Sequence, residues 1–214
     1  MLFDFETLSP QNRYKVLVST VVPRPIAWVV SQSPDGRRNA APFSFFNALM
    51  GDPPVVGIGI GGRRPDDPPG TWKDSAANIR ATGQFVVNLV GYANREAMNV
   101  TAIELPAEVN ELHQAGLATL PSVKVAPPRI AESPVALECE RVAIIELAVD
   151  RVIVLGRVLA AHVRDDCVLD AARCYIDTPK LDLIGRMHGS GWYARTTDLF
   201  EQPRIPVAAW ELRD

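Results

Sequence analysis

Residues 39–47 are Asn-Ala-Ala-Pro-Phe-Ser-Phe-Phe-Asn, NAAPFSFFN. The aromatic content suits a core strand, yet Pro42 and Ser44 stand near the centre and an asparagine at each end. Pro42 has no N–H and cannot donate to a central ladder, so the stretch belongs at a sheet edge, at a bulge or where pairing is interrupted. Neighbouring backbone groups then lack strand partners, and buried N–H and C=O groups do not stay unpaired. Two readings follow from these residues alone. The stretch is a barrel-rim strand with a structural proline. Or it is one wall of a site for a flat heterocycle, with Phe43, Phe45 and Phe46 as walls and Ser44 as a hydroxyl.

Working outward, PIAWVVSQS (25–33) is rich in β-formers and runs into the turn signal Ser33-Pro34-Asp35-Gly36. The run 38–49 is expected to return as a second strand, closing a hairpin. After Asp52-Pro53-Pro54, PVVGIGI (54–60) is a third strand and GGRRPDDPPG (61–70) a loop. KDSAANIRATG predicts a short helix, capped by Asp74 or Ser75 and ended by Gly83. QFVVNLV (84–90) is a fourth strand. Residues 91–116 suit helices and form a helical insertion. Pro127-Pro128 and Pro134 mark a linker. Two long strands follow over 135–147 and 149–163, before a glycine-rich, aromatic extended tail at 177–214. The pattern predicts a mostly β fold with peripheral helices, in one domain spanning 1–214.

Gly57-Ile58-Gly59-Ile60-Gly61-Gly62 matches GxGxxG. The dinucleotide fingerprint needs its glycines between a strand and a helix start, whose N-terminus holds the pyrophosphate. Here the glycines lie within a strand and Arg-Arg-Pro-Asp-Asp-Pro-Pro follows, which opens no helix. Strand glycines instead signal close approach by a neighbour or a ligand.

Composition narrows the function classes. With a net charge of −3, the chain is not expected to bind nucleic acid or an anionic membrane in bulk. MLFDFETLSP carries acids where a secretory leader carries bases, and the apolar region AIIELAVDRVIVLG is broken by Glu146, Asp150 and Arg151. The expectation is a cytoplasmic protein without a membrane span. Cys139, Cys167 and Cys174 have no paired spacing, and His113, His162 and His188 sit in no ligand motif, so neither disulfides nor a metal site is expected.

The second candidate half-site is Trp72-Lys73-Asp74-Ser75. A helix N-terminus offers free N–H groups and partial positive charge, so Lys73 and Ser75 are placed to hold a phosphate, with Arg63 and Arg64 adding charge from the loop. By themselves these residues favour the alternative, an ordinary capped helix beside a solvated lysine, with Asp74 as the cap.

Taken in order, RPIAWVVSQSPDGRRNAAPFSFFNAL, DPPVVGIGI, KDSAANIRATGQFVVNLV, ESPVALECE, VLGRVLAAHVRDD and GRMHGSGWYART resemble the flavin reductase-like proteins with an FMN-binding split barrel (flavoredoxin-like), over roughly residues 14–200. The resemblance implies a closed or nearly closed six-stranded Greek-key split β-barrel, a homodimer, and FMN near its interface. It implies that Ala41, Pro42, Phe43 and Ser44 lie along the isoalloxazine through backbone atoms, with Asn39 nearby. It implies that Arg63, Lys73, Asp74 and Ser75 hold the phosphate, and that GSGWYAR packs near the flavin. Two departures stand out: GGRRPDDPPG carries extra acids and prolines, and His188 stands where glycine is expected.

The activity implied is an NAD(P)H-dependent FMN reductase, in which hydride passes from the nicotinamide to flavin N5 and the cofactor carries the chemistry. No His/Asp/Ser constellation is needed for it. Reduced FMN would serve a monooxygenase or another electron acceptor. The alternatives are an electron carrier reduced by a protein partner, and a non-catalytic flavin-binding module.

Overall fold

The computed structural model describes residues 1–62, 68 and 70–210. Its main sheet has seven strands: β1 (Ala27–Gln32), β2 (Arg38–Phe43), β3 (Phe46–Gly51), β4 (Pro54–Gly61), β5 (Gln84–Leu89), β6 (Val135–Ala148) and β7 (Arg151–Val163), all paired antiparallel in the order β2-β1-β5-β6-β7-β4-β3. The fold is mostly β, but the expected single strand over 38–49 is two strands. They part at Ser44-Phe45, which supplies the seventh strand. Consecutive strands β2 and β3 thus form opposite edges of the sheet.

That topology forces curvature. A flat seven-stranded sheet would hold its edges roughly 29 Å apart, at ~4.8 Å per gap. The link from Phe43 to Phe46 spans at most about 11 Å, three Cα steps. The sheet therefore rolls until its edges meet around Ser44-Phe45, where the Gly59 N–H donates to the Phe45 carbonyl at 2.7 Å. The sheet stays open between β2 and β3, so the expected six-stranded, nearly closed barrel is corrected to a seven-stranded open one. Pro42 sits opposite Trp28 on the edge strand, where its missing donor interrupts no interior ladder.

The period-two alternation of β1 and β5 decides the packing. Ala27, Val29, Phe85 and Val87 point into the roll and meet Val56, Ile58, Val152 and Val154, with Ala76 and Ile79 of a helix closing that cluster. Trp28, Val30 and Val86 point the other way, against Met98, Leu112, Val125 and Ile130. Both faces of the central strands are buried, which is why AWVV is continuously apolar. Asn88 ties the outer layer down: its amide donates to the Trp28 carbonyl at 3.0 Å and its oxygen accepts the Ile130 N–H at 2.9 Å.

The strand glycines make room for neighbours. A Cβ on Gly57 would lie 2.6 Å from Leu49 Cδ1, and one on Gly59 3.1 Å from Phe45 Cβ. Gly57 and Gly59 both lie inside β4, so the GxGxxG match is a steric device for β3 and not a nucleotide turn.

Four helices matter for the site. α1 (Pro10–Thr20) starts at Ser9, whose Oγ accepts the Asn12 N–H, with Pro10 in its first turn. α2 (Asp74–Thr82) packs under β1 and ends at Gly83, whose φ of +74° is the left-handed closure expected of it. Within 91–116 lie a 3₁₀ turn at Tyr92–Asn94, α3 (Arg95–Val100) and α4 (Glu111–Gln114). The tail is more regular than its sequence indicates. Ile184–Arg186 and Tyr193–Arg195 pair with each other, and the former also pairs with Arg24–Pro25, in a three-stranded sheet.

Glu138 of β6 is fully buried and accepts the N–H groups of Val123 at 2.8 Å and Lys124 at 2.5 Å, with His162 Nε2 at 2.6 Å. Burial alone would raise its carboxyl pKa, but these donors, Val123 foremost, hold it below the ordinary glutamate value. Beside it, burial pushes the Cys139 thiol up to about 12, so this cysteine is a core residue without thiolate chemistry. Cys139, Cys167 and Cys174 are all free. Among the described residues no His/Cys/Asp/Glu group could hold a metal, and no helix is long and apolar enough to cross a membrane.

Candidate functional site

Edge strand β2 and the start of α2 face each other across a cleft of about 280 Å³. Residues separated by some thirty positions meet there. Asn39, Ala41, Pro42 and Phe43 form one side, Lys73, Asp74 and Ser75 the other, with Trp72 between. Ser44, at the bend beyond β2, is half-buried and not part of the lining. Arg63 and Arg64 lie outside the described residues.

The helix start differs from expectation. The cap position is Lys73, which makes no side-chain capping bond. Asp74 and Ser75 are the first two helical residues. Neither is the cap, because helical φ/ψ begins at Asp74. The first-turn N–H groups of a helix have no intrahelical partner, so this end presents donors and partial positive charge to the cleft. Gly83 closes the other end as expected, its N–H donating to the Ile79 carbonyl at 2.9 Å.

The two sides are fixed by side-chain bonds. Asn39 Nδ2 donates to Ser75 Oγ at 2.8 Å, and both residues are buried. The unpaired edge of β2 finds its partner in Glu111 of α4, whose Oε2 accepts the Ala40 N–H at 3.1 Å. At that position the polar group demanded by the interrupted ladder is a carboxylate of the chain itself. Glu111 is only 6% exposed, so the bond is made away from solvent and contributes more than a surface one.

The roof of the cleft comes from the insertion. Thr101, Ile103, Glu104 and Leu105 line it. Thr101 is anchored in the core by the Trp28 indole, which donates to its Oγ1 at 2.8 Å. Glu104 reaches across to Lys73, Oε1 to Nζ at 3.4 Å. Both side chains are over a third exposed, so this pair is weak. Trp72 is braced by its own donation to the Val149 carbonyl at 3.2 Å and by the Arg80 guanidinium 4.4 Å from its ring.

Sequence reasoning missed Trp72 as a wall, and Glu104 and Glu111 altogether. Trp72 adjoins the KDS motif and was legible. The two glutamates carry no local signal, since their role depends on how 101–111 folds back over β2. Among the described residues no histidine or cysteine lines the cleft, so these form no nucleophile–base pair of that kind there. It offers an apolar wall, edge-strand backbone, a helix N-terminus and one ammonium.

Comparisons with known proteins show the family and the fold. A model of the flavin reductase-like domain matches residues 18–178, and the chain belongs to that family. Among solved structures it is similar to the 2-nitrobenzoate 2-nitroreductase of Pseudomonas fluorescens, at 30% identity over 97% of each chain and a TM-score of 0.85. It is similar also to component B of nitrilotriacetate monooxygenase from Bacillus cereus, at 27% identity over 94% of this chain and 98% of that one, with a TM-score of 0.86. A split-barrel protein of Shewanella frigidimarina shares the fold, at 22% identity over 96% and 100% of the two chains and a TM-score of 0.78. The fold is therefore a split barrel, and the protein a flavin reductase-like one with oxidoreductases among its structural neighbours.

Proposed function

We propose that the protein is an NAD(P)H-dependent FMN reductase, cytoplasmic and homodimeric, with the cleft between β2 and α2 as its flavin site. The observation that carries this reading is the convergence of 39–43 and 71–75 on one cleft. An uncapped helix N-terminus and an ammonium meet there beside an apolar wall. That combination suits a flat heterocycle ending in a phosphate.

In this reading Pro42 and Phe43 seat the ring, and the backbone of Ala41–Phe43 supplies its polar contacts. Ser44, at the bend, shapes the end of that wall. Lys73 and the first-turn N–H groups of α2 take the phosphate. Arg63 is placed in the same role by the family resemblance. Asp74 opposes an anion by its charge, and its first-turn position favours the helix dipole instead. The Asn39–Ser75 bond keeps the two walls in register. When bound, FMN supplies the redox chemistry, accepting a hydride from the nicotinamide. The chain's own task is to bind, orient and exclude water, and no acid–base residue is assigned. Exposed apolar residues Leu49, Met50, Ile145, Leu147 and Val149 support a subunit interface on the β3 edge and the end of the β6–β7 hairpin. Within this chain GSGWYAR does not line the cleft between β2 and α2, so in this reading it covers the flavin of the partner subunit, with Trp192 exposed.

The test is direct. Purified protein is examined for a flavin spectrum, the released flavin is identified, and NADH and NADPH oxidation is followed with added FMN. Oxidation above background with at least one nucleotide is expected. None with either would overturn the reading. A second reading follows from the similarity to the monooxygenase component, in which reduced flavin is delivered to a partner oxygenase. If that holds, oxidation of the nucleotide will continue only while free FMN turns over.

A further inference from the structure

A second cleft, of about 400 Å³, lies where the Tyr92–Asn99 segment meets the tail strands Ile184–Arg186 and Tyr193–Arg195. Its chemistry is unlike that of the first. Three guanidiniums converge on two tyrosines: Arg95 and Arg195 lie 4.3 and 4.2 Å from the centroid of the Tyr92 ring, and Arg186 lies 4.7 Å from that of Tyr193. Arg186 donates to the Tyr193 hydroxyl and to the Gly189 carbonyl. Among the described residues it has no carboxylate within ion-pair distance. Arg24, buried behind it with its Nη2 on the Met187 carbonyl, adds a fourth guanidinium to the neighbourhood.

Such a grouping is costly in a chain of net charge −3. Like charges gathered at partly buried positions repel, and among the described residues two carboxylates answer them. Asp182 takes Arg195 with two bonds of 2.9 Å, and Glu96 takes Arg95 at 2.8 Å. Glu96 is 83% exposed in its side chain, so its hold on Arg95 is weak. Arg95 also donates Nη1 to the Tyr92 carbonyl at 3.0 Å, and Arg186 spends both terminal nitrogens on neutral oxygens, so an incoming anion engages these two guanidiniums by displacing neutral acceptors and the exposed Glu96.

We propose that this cleft binds the phosphate monoester of a nucleotide, with the phosphate between Arg186 and Arg95 and the base against the arginine–tyrosine stacks. A carboxylate meets one guanidinium fork with both of its oxygens, as Asp182 meets Arg195. A phosphate has three terminal oxygens and serves two further forks. Inorganic phosphate alone would leave most of the 400 Å³ unfilled, and the flat walls suit a base. The ligand class stands on this cleft alone. Which nucleotide fills it rests on the reductase reading, under which the 2′-phosphate of NADPH is one source and a 5′-mononucleotide the other.

The experiment is calorimetric titration of the full chain, loaded with FMN, with adenosine 2′,5′-bisphosphate, 5′-AMP, adenosine and inorganic phosphate at low salt. At least one phosphorylated nucleotide should bind, adenosine and inorganic phosphate at least about tenfold more weakly. Arg186→Met and Arg95→Met should each lower that affinity by about tenfold or more, as loss of a charge-assisted bond predicts. Preference for the bisphosphate over 5′-AMP assigns the site to the 2′-phosphate of NADPH, and the reverse to a mononucleotide. Arg95 is partly exposed, so its variant tests the proposal even if Arg186→Met does not fold. Binding of neither nucleotide, or binding unchanged in a folded variant, would overturn it. So would inorganic phosphate binding as tightly as the nucleotides. Flavin absorbance, read in parallel, keeps this outcome separate from the FMN site: loss of flavin with nucleotide binding intact would sink the reductase reading and leave this one standing.

Discussion

The two clefts flank the same insertion yet carry opposite charge. The first collects one lysine and three carboxylates, Asp74, Glu104 and Glu111. The second collects three arginines and Glu96. The first is assembled from two short motifs some thirty positions apart under a roof from the insertion, the second from segments nearly a hundred positions apart. A site for a flavin phosphate does not need a strongly basic lining if a helix end supplies the N–H groups. A site without such an end must use side-chain forks, and the second cleft does.

The largest effect should come from the buried carboxylate of Glu138, which lines neither cleft. Glu138→Ala strips the acceptor from two loop N–H groups and from His162, and should cost about 3 kcal/mol in urea unfolding. Full stability in this variant would mean that the 123–124 loop does not depend on the carboxylate. The same group sets a pH dependence. Its folded pKa lies below its unfolded one, so its stabilisation is complete above the ordinary glutamate range. That stabilisation is lost as pH falls through the lower, folded value. Thermal melts from neutral to acidic pH should show a steeper drop in wild type than in Glu138→Gln.

Next, Glu111→Ala separates the clefts. It leaves the Ala40 N–H buried without its acceptor and should cost about 1–3 kcal/mol of stability. In the folded variant FMN affinity should fall while nucleotide binding at Arg186 is unchanged. Lys73→Ala and Ser75→Ala should each weaken FMN by about 1–3 kcal/mol, read by fluorescence titration. Unchanged affinity in both would move the flavin out of this cleft. The smallest effect is expected of Glu104→Gln. Releasing Lys73 from an exposed ion pair should tighten FMN by less than about 1 kcal/mol. Weaker binding would show that Glu104 contributes to the site rather than competing for Lys73.

Much of this was legible in the chain. The Ser33–Gly36 turn, the period-two strands and Gly83 as helix closure follow from local chemistry, and each is where the residues place it. Pro42 narrowed its strand to an edge, a bulge or an interrupted pairing, and the structure places it at an edge. Ser9-Pro10 marks the start of α1 by the same local rules, though that helix was not among the predicted elements. The break at Ser44-Phe45 was not legible. Phe43 and Phe46 are equally good strand residues, and only the pairing partners, β1 for one and β4 for the other, show that the run is divided.

What the sequence by itself determined is therefore whatever depends on spacing along the chain: strand alternation, the Ser33–Gly36 turn, the short helix closed by Gly83, and a proline that no interior ladder can hold. The tertiary structure alone decided the rest. It chose seven strands over six, placed Lys73 rather than Asp74 at the cap, assigned Glu111 to the orphaned edge of β2, and gathered Arg95, Arg186 and Arg195 around two tyrosines. These depend on which surfaces meet when an open sheet rolls until a two-residue link can join its edges. No local pattern encodes that meeting, because its free energy comes from contacts between segments distant in the chain.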